Sequence, residues 1–300
     1  MKELIRNILK RFGYDIVKTG VPYIPKTNKN DLVNVGKFKV LMPGNNVQRI
    51  NYRVYPELND QLGRLACLLH KKYPAMTVVD VGANVGDTIA VIKSFTNASI
   101  IGIEGDEISF GFLEENVKQF SDVSVIKTFL GEKHDEIKAD FKNTGWNATI
   151  VPAEGGSQKV LVRTLDEIIG KDYNGLDIKL LKIDVEGFDT IVLRGAQEVI
   201  KKNKPVVFFE YNPEAMKLLN EDGFSTLLSF RDKGYDKVIF FDHKGTLFLV
   251  TSLKNLEELT CLHEYISSSR NLLGYYDIVI FNEADVDIAI KYSKEERGYL

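Results

Sequence analysis

The sequence predicts an α/β fold: a doubly wound, mostly parallel sheet with helices on both faces. Three observations predict it. Five short apolar runs, Thr77–Val79, Ser99–Ile103, Val123–Leu130, Ile178–Ile183 and Pro205–Phe209, alternate with stretches of helical periodicity. The first run passes through Asp80-Val81-Gly82-Ala83-Asn84-Val85-Gly86-Asp87-Thr88 into a helical pattern carrying Ile89, Ile92 and Phe95. Strand, tight turn and helix form the opening unit of such a fold. Finally, four of the runs end on an acid, at Asp80, Glu104, Asp184 and Glu210. The carboxyl edge of an open sheet is where ligands bind.

The bounds agree with this class. The chain has 300 residues, 44% of them hydrophobic, enough to bury a sizeable core as one large domain or two small ones. Its net charge of −3 gives no nucleic-acid footprint. Cys67 and Cys261 are far apart and fit neither a disulfide framework nor a zinc site. A reducing compartment, the cytoplasm, is expected. No run is long enough to span a bilayer, and no signal peptide is apparent.

In chain order, Met1 to Tyr14 reads as a basic amphipathic helix with Leu4, Ile5, Ile8, Leu9 and Phe12 on one face. Such a helix packs on its own domain, on a sister subunit of a homo-oligomer, or weakly on an anionic membrane surface. Val21 to Asn34 reads as a loop, Phe38 to Met42 as a strand, and Pro43-Gly44-Asn45-Asn46 as a turn. Leu58 to Lys72 carries a leucine stripe and reads as a helix covering the sheet. Glu107 to Phe120 is the next helix. Phe141 to Arg163 breaks the rhythm, with Asn147–Val151 and Lys159–Val162 expected to pair around Glu154-Gly155-Gly156-Ser157. The lone tryptophan, Trp146, sits in a Gly-Trp-Asn loop that suits an adenine or acceptor contact. Thr164-Leu165-Asp166-Glu167 starts a short helix. Thr190 to Lys202 reads as one helix, and Pro213–Leu219 and Ser225–Lys233 as two more. Lys237–Phe241 and Thr246–Thr251 form a hairpin around Asp242-His243-Lys244-Gly245. The tail after Leu253 is expected to cover an edge. The domain reading is a helical and loop extension over 1–56, a main domain over 57–251, and a terminal extension over 252–300 packed on it.

Gly82 permits positive φ and lets a ligand approach bare backbone. Gly86 lets the helix start close to the strand, and that helix's first turn favours a carboxylate or phosphate. A dinucleotide site would show G-x-G-x-x-G. Here Asp80, Gly82 and Gly86 give D-x-G-x-x-x-G, which resembles the first motif of class I S-adenosylmethionine (SAM) methyltransferases. Glu104, ending the second strand, can accept from both hydroxyls of a ribose. The acids Asp80, Asp184, Glu186 and Glu210 at one edge suit a cation such as a sulfonium better than a pyrophosphate. A sugar hydroxyl is a weak nucleophile and needs a base close by. Asp184 is the first choice, Glu210 the second and His243 the third. Glu186 reads equally as a catalytic acid or as a helix N-terminal acid facing the dipole, worth about 0.3–1 kcal/mol. Asp184, Glu186 and Glu210 are also hard oxygen ligands that suit a divalent cation, although no metal is predicted.

Val79 to Gly86, then Glu104, Thr164-Leu165-Asp166, Leu181-Lys182-Ile183-Asp184-Val185-Glu186-Gly187-Phe188-Asp189 and Phe209-Glu210-Tyr211 together resemble the FkbM family of SAM-dependent methyltransferases. The likeness runs from Glu57 to Thr251. It implies a class I, Rossmann-like, seven-stranded sheet with one antiparallel strand, which the hairpin would supply. It implies O-methylation, often of a sugar hydroxyl in a glycan or natural product, with S-adenosylhomocysteine as the second product. Asp80, Gly82, Asn84, Gly86 and Glu104 carry over as cofactor positions. Ala83, Asp87, Thr88, Gly131 and Asp184 complete the candidate set. Asp184 and Glu186 carry over to the active site, and Glu210 joins them. The expected partner is a small-molecule or glycan acceptor, not nucleic acid. Two other readings stand. An NAD-dependent oxidoreductase would want a third glycine at Val85 and a Tyr-x-x-x-Lys pair. A non-catalytic SAM-binding protein would bind the cofactor without turnover.

Overall fold

The computed structural model describes residues 29–143, 148–152, 158–268 and 270–299. The expected helix over Met1–Tyr14, Trp146 and the Glu154–Ser157 loop lie outside the described residues. Fourteen strands are described. β1 (Asp31–Val35) and β2 (Phe38–Met42) form a ribbon. β3 (Thr77–Val81), β4 (Ser99–Glu104) and β5 (Val123–Lys127) open the main sheet. β6 (Phe129–Leu130), β7 (Asp135–Asn143), β8 (Ala148–Pro152) and β9 (Gln158–Arg163) form a separate small sheet. β10 (Ile178–Ile183), β11 (Val206–Tyr211), β12 (Tyr235–Asp242), β13 (Leu247–Ser252) and β14 (Tyr276–Asn282) complete the main one.

The main sheet has eight strands in the order β13-β12-β14-β11-β10-β3-β4-β5. β5, β4, β3, β10 and β11 are mutually parallel. β3 is buried along its whole length, as a parallel strand covered on both faces must be. The period of two divides the core. Val79, Val81, Ile101, Leu181 and Phe209 pack on one face. Val78, Ile100, Leu180 and Phe208 pack on the other. The predicted class I α/β sheet is present, with eight strands rather than seven and with two, β14 and β13, running against the rest rather than one.

Several details differ. The strand that runs antiparallel beside β11 is not a hairpin strand but β14, from the tail. The tail therefore does not cover an edge. Ile278, Val279, Ile280 and Phe281 are buried between β11 and β12, and the hairpin's β13 becomes the edge. An apolar run that long has more to gain inside the sheet than across its rim. The loop expected up to Asn34 ends earlier, because Val33 and Val35 alternate inward and pair with β2. A short helix over Gln48–Val54 was not foreseen, since only Arg49 and Tyr52 of its seven residues are buried and no apolar period exists. The third core strand splits at Thr128, where the chain leaves the main sheet for the small one. In that sheet β8 and β9 do not pair with each other, because β7 lies between them. The helix expected over Thr190–Lys202 breaks into Asp189–Arg194 and Gln197–Asn203. The break falls at Gly195, where a side chain would sit 2.0 Å from the Gly131 carbonyl oxygen. No helix among the described residues is long and apolar enough to cross a membrane. Neither Cys67 nor Cys261 is in a disulfide.

Candidate active site

The opening turn is set by an ion pair beneath it. Asp80 is fully buried near the end of β3. Thr88 Oγ1 donates to its Oδ2 at 2.5 Å, and Lys182 Nζ lies 2.9 Å from its Oδ1. The same ammonium donates to the Gly82 carbonyl at 2.9 Å. Burial works against the lysine's charge, but Asp80 and then Asp184 outweigh it and hold the ammonium above its ordinary range. Burial pushes Asp80 upward while Lys182 opposes it.

Above this pair the backbone doubles back. Gly82, Asn84 and Gly86 all have positive φ. Gly82 and Ala83 both donate their N–H groups to the Ile103 carbonyl, tying the turn to β4. Asn84 N–H donates to Glu104 Oε2, and Asp106 N–H donates to Glu104 Oε1, each at 2.8 Å. Burial raises the Glu104 carboxyl, and these two donors pull it back. Each oxygen keeps a lone pair for a ligand.

A cavity of about 330 Å³ opens above the carboxyl ends of β3, β4, β10 and β11. Gly82, Asn84, Glu104, Gly105 and Phe129 line it. So do Asp184, Glu186, Glu210, Asn212, Asp277, Tyr275 and His243. Glu210 and Asp277 are register partners across β11 and β14. Asn212 Nδ2 donates to Glu210 Oε1 at 3.1 Å. Burial, and then the carboxylates of Asp184, Asp189 and Glu186, push Glu210 well above the carboxylate range. Burial and Asp184 do the same to Asp277, with Lys182 opposing. Burial, followed by Glu210 and Asp277, raises the Tyr275 phenol. Asp184 is different. Its side chain is 47% exposed, open to the cleft, with Lys182 Nζ 3.7 Å away. Glu186 holds a left-handed φ of 53° at the head of the turn before the helix Asp189–Arg194.

Eight candidates from the sequence meet in this cavity: Gly82, Asn84, Asp87, Thr88, Glu104, Asp184, Glu186 and Glu210. His243 joins them. Four others do not line it. Asp80 is spent on Lys182 and Thr88 below the turn. Ala83 is in the core beside Ile89. Gly86 starts the helix Asp87–Phe95, and its Cα faces Leu113, which an added Cβ would meet at 3.0 Å. Gly131 has been carried past the cavity into the small sheet, where its N–H donates to the Arg163 carbonyl. Asp166 is likewise structural, accepting from the N–H groups of Glu198 and Val199 at a helix start. Sequence reasoning missed Lys182, Asp277, Tyr275 and a row of amides, Gln48, Asn51, Asn59 and Gln61. A lysine inside the apolar run Ile178–Ile183 was the one visible signal, because a buried ammonium needs a partner.

SAM fits the residues present. Asn84 Oδ1, in the cavity wall, is buried without a hydrogen-bond partner. Glu104 offers two oxygens beside it. Among the described residues six carboxyl groups face the cavity against a single ammonium, and that one is paired, so a cationic ligand is favoured. No group of metal-ligating side chains is found among the described residues.

This strand order, with a ligand cavity over the glycine turn, defines the class I methyltransferase fold. The chain matches the methyltransferase FkbM domain over residues 80–237, more than half its length, and belongs to that family. No curated protein matches it. Similar solved structures include an FkbM methyltransferase from Methylobacillus flagellatus KT, 21% identical over 45% of this chain and 32% of that one, with a TM-score of 0.34. A precorrin-6y C5,15-methyltransferase from Geobacter metallireducens GS-15 is 11% identical over 85% of this chain and 100% of that one, with a TM-score of 0.41. A TehB-like SAM-dependent methyltransferase from Corynebacterium glutamicum is 10% identical over 73% of this chain and 87% of that one, with a TM-score of 0.39. The chain thus spans about a third of the length of the Methylobacillus protein, 32%.

Proposed function

We propose that this protein is a SAM-dependent O-methyltransferase acting on a sugar hydroxyl, in a glycan or a glycosylated natural product. One observation carries the reading. A single cavity joins a ribose-type acceptor, Glu104, to a carboxylate-rich end in which Asp184 stands open to solvent. Bound SAM supplies a methyl group on a positively charged sulfur. Asn84, Glu104 and Gly82 hold the cofactor. Asp184 and Glu186 lower the cost of placing a cation there. The acceptor hydroxyl lies between Asp184 and Glu210. The Asp184 carboxylate accepts its proton. Glu210, kept protonated by burial and its acidic neighbours, donates a hydrogen bond that orients the hydroxyl. Alignment in the closed cleft supplies much of the rate.

The test is incubation with SAM and a panel of glycosides, read by mass for one added methyl per acceptor and matching S-adenosylhomocysteine. Calorimetry with SAM and with NAD accompanies it. SAM binding without transfer to any acceptor would leave a non-catalytic binder, and binding of NAD alone would revive the oxidoreductase reading.

A further inference from the structure

We propose that the wall built by Gln48, Asn51, Asn59 and Gln61 is the acceptor subsite, and that it reads adjacent hydroxyls of an uncharged sugar. This rests on the O-methyltransferase reading above. The four amides precede the matched domain, which begins at residue 80, yet all line the cavity. Asn51 Nδ2 donates to Gln48 Oε1 at 3.0 Å. That leaves Asn51 Oδ1 as an acceptor and Gln48 Nε2 as a donor. Asn59 Nδ2 donates to the Tyr52 hydroxyl at 3.1 Å, which in turn donates to Asp87 Oδ2 at 3.0 Å. Asn59 Oδ1 is left over, and its position is fixed through Tyr52 to the helix that follows the glycine turn.

Gln61 is the strongest member. The residue is 3% exposed, and it lines the cavity. It lies against the hairpin turn, where a Cβ on Gly245 would sit 2.7 Å from Gln61 Oε1 and 2.8 Å from its Nε2. A carboxamide presents a donor and an acceptor in one plane. Two neighbouring hydroxyls, each both donor and acceptor, match that pattern, and an amide pair repeats it.

Charge sets the class of sugar. The wall has no ionised side chain facing the cavity. Arg49, on the same helix, is buried and turned to Asp31, 3.6 Å away. Among the described residues, the six carboxyl groups elsewhere in the cavity are answered only by Lys182, already committed to Asp80 and the Gly82 carbonyl. A sugar bearing a carboxylate or phosphate would meet like charge, with no uncommitted cation among the described lining residues to receive it. An uncharged vicinal diol meets only amides.

The test is direct binding to the protein saturated with S-adenosylhomocysteine. Saturation-transfer NMR and calorimetry are run with methyl glucoside, galactoside, mannoside and rhamnoside, and with methyl glucuronide and glucoside 6-phosphate as charged counterparts. We expect at least one neutral glycoside to bind at least about tenfold more tightly than its charged counterpart. Asn51→Leu and Gln61→Met should each weaken that glycoside by at least about tenfold, with S-adenosylhomocysteine affinity held within about twofold. The unchanged cofactor affinity reports folding, and Asn51→Leu, in the more open wall, covers a Gln61→Met that fails to fold. Equal or tighter binding of the charged sugars, unaltered neutral binding in both variants, or no binding by any neutral glycoside overturns the subsite. Neutral binding without methyl transfer from SAM would instead uphold the subsite and defeat the O-methyltransferase reading. Transfer to charged sugars with equal efficiency would do the reverse.

Discussion

Lys182 Nζ stands 2.9 Å from Asp80 Oδ1, with both side chains sealed from solvent. The aspartate that opens the family's motif therefore acts on the turn from below, not on a ligand. Removing one partner of a buried pair strands the other charge, at a cost of about 3–5 kcal/mol. Lys182→Met strands Asp80 and also leaves the Gly82 carbonyl without its donor. Denaturant unfolding should show a loss of that size, and adding Asp80→Asn should restore part of it. A Lys182→Met protein as stable as the parent would mean that the pair does not organise the turn.

Gly82 has a related constraint. A Cβ there would sit 1.9 Å from the Asp184 carbonyl oxygen, at a φ of 72°. The obstruction is the protein's own backbone, ahead of any ligand. Gly82→Ala should therefore displace the Asp184–Gly187 loop. Stability and SAM affinity should fall together, the affinity by at least about tenfold, or about 1.4 kcal/mol. Thermal unfolding and calorimetry measure both. An alanine variant with unchanged melting and binding would contradict the close approach of the two loops.

These two cases show where sequence reading reaches and where it stops. The alternation of β-branched runs and amphipathic helices was legible, since period and turn chemistry are local. So was the gathering of Glu104, Asp184, Glu186 and Glu210, because the carboxyl ends of parallel strands share one edge. Asp80 and Gly86 sit within the same motif, yet packing from Lys182 and Leu113 decides which way they face. Strand order is non-local as well. Nothing near Tyr276–Asn282 announces that it enters between β11 and β12. The amide row was hidden for a similar reason: Gln48, Asn51, Asn59 and Gln61 have no apolar period or family pattern to mark them. The helix Gln48–Val54 brings Gln48 and Asn51 to the cavity, and the start of the helix Asp60–Lys72 brings Asn59 and Gln61.

Glu104 binds the turn with the same oxygens it would offer to a ribose. Glu104→Gln places an NH₂ against the N–H of either Asn84 or Asp106, so one backbone bond must be lost. A charge-assisted bond to a ligand hydroxyl is lost with it. SAM affinity should drop by about 1.5–3 kcal/mol. The melting temperature should fall too, which a residue serving the ligand alone would not cause. Normal SAM binding in the variant would return Glu104 to a purely structural part.

Asp87 makes stability depend on pH in a defined direction. Burial raises its carboxyl from an ordinary 3.8 to about 6, partly offset by Lys182 and the Tyr52 hydroxyl. The folded state thus holds this proton more tightly than the unfolded one. The linked stability is fully present below about pH 4 and is lost as pH rises through about 6, by on the order of 3 kcal/mol. Glu210 and Asp277 are raised for the same reason and act in the same sense. From this group the ligand-free protein should therefore lose stability between pH 5 and pH 7, on the order of 1 kcal/mol. Asp87→Asn, which keeps an acceptor for Tyr52, should remove that loss. A stability difference between pH 5 and 7 that is the same in the parent and in the variant would refute the assignment.

The choice of base between Asp184 and Glu210 rests on opposite environments within one cleft. Asp184 is 47% exposed, with an ammonium 3.7 Å away. Glu210 is buried, and its neighbours hold its proton on. Asp184→Asn keeps the shape and one acceptor, so SAM affinity should stay within about threefold. Turnover should fall on the order of a hundredfold, as loss of a general base usually costs. Glu210→Gln keeps a donor where a protonated acid stood, so near pH 7 its turnover should fall by much less. The pH profile separates the two roles. If Glu210 were the base, the parent's rate would climb with pH as its raised carboxyl ionises, and Glu210→Gln would abolish that climb and the activity with it. If Asp184 is the base, Glu210→Gln retains most of the neutral rate and Asp184→Asn does not. Steady-state kinetics of both variants from pH 5.5 to 9, on an acceptor found in the glycoside panel, decide between them. Full turnover in both variants would leave the acids to the sulfonium and the fold, with alignment alone carrying the reaction.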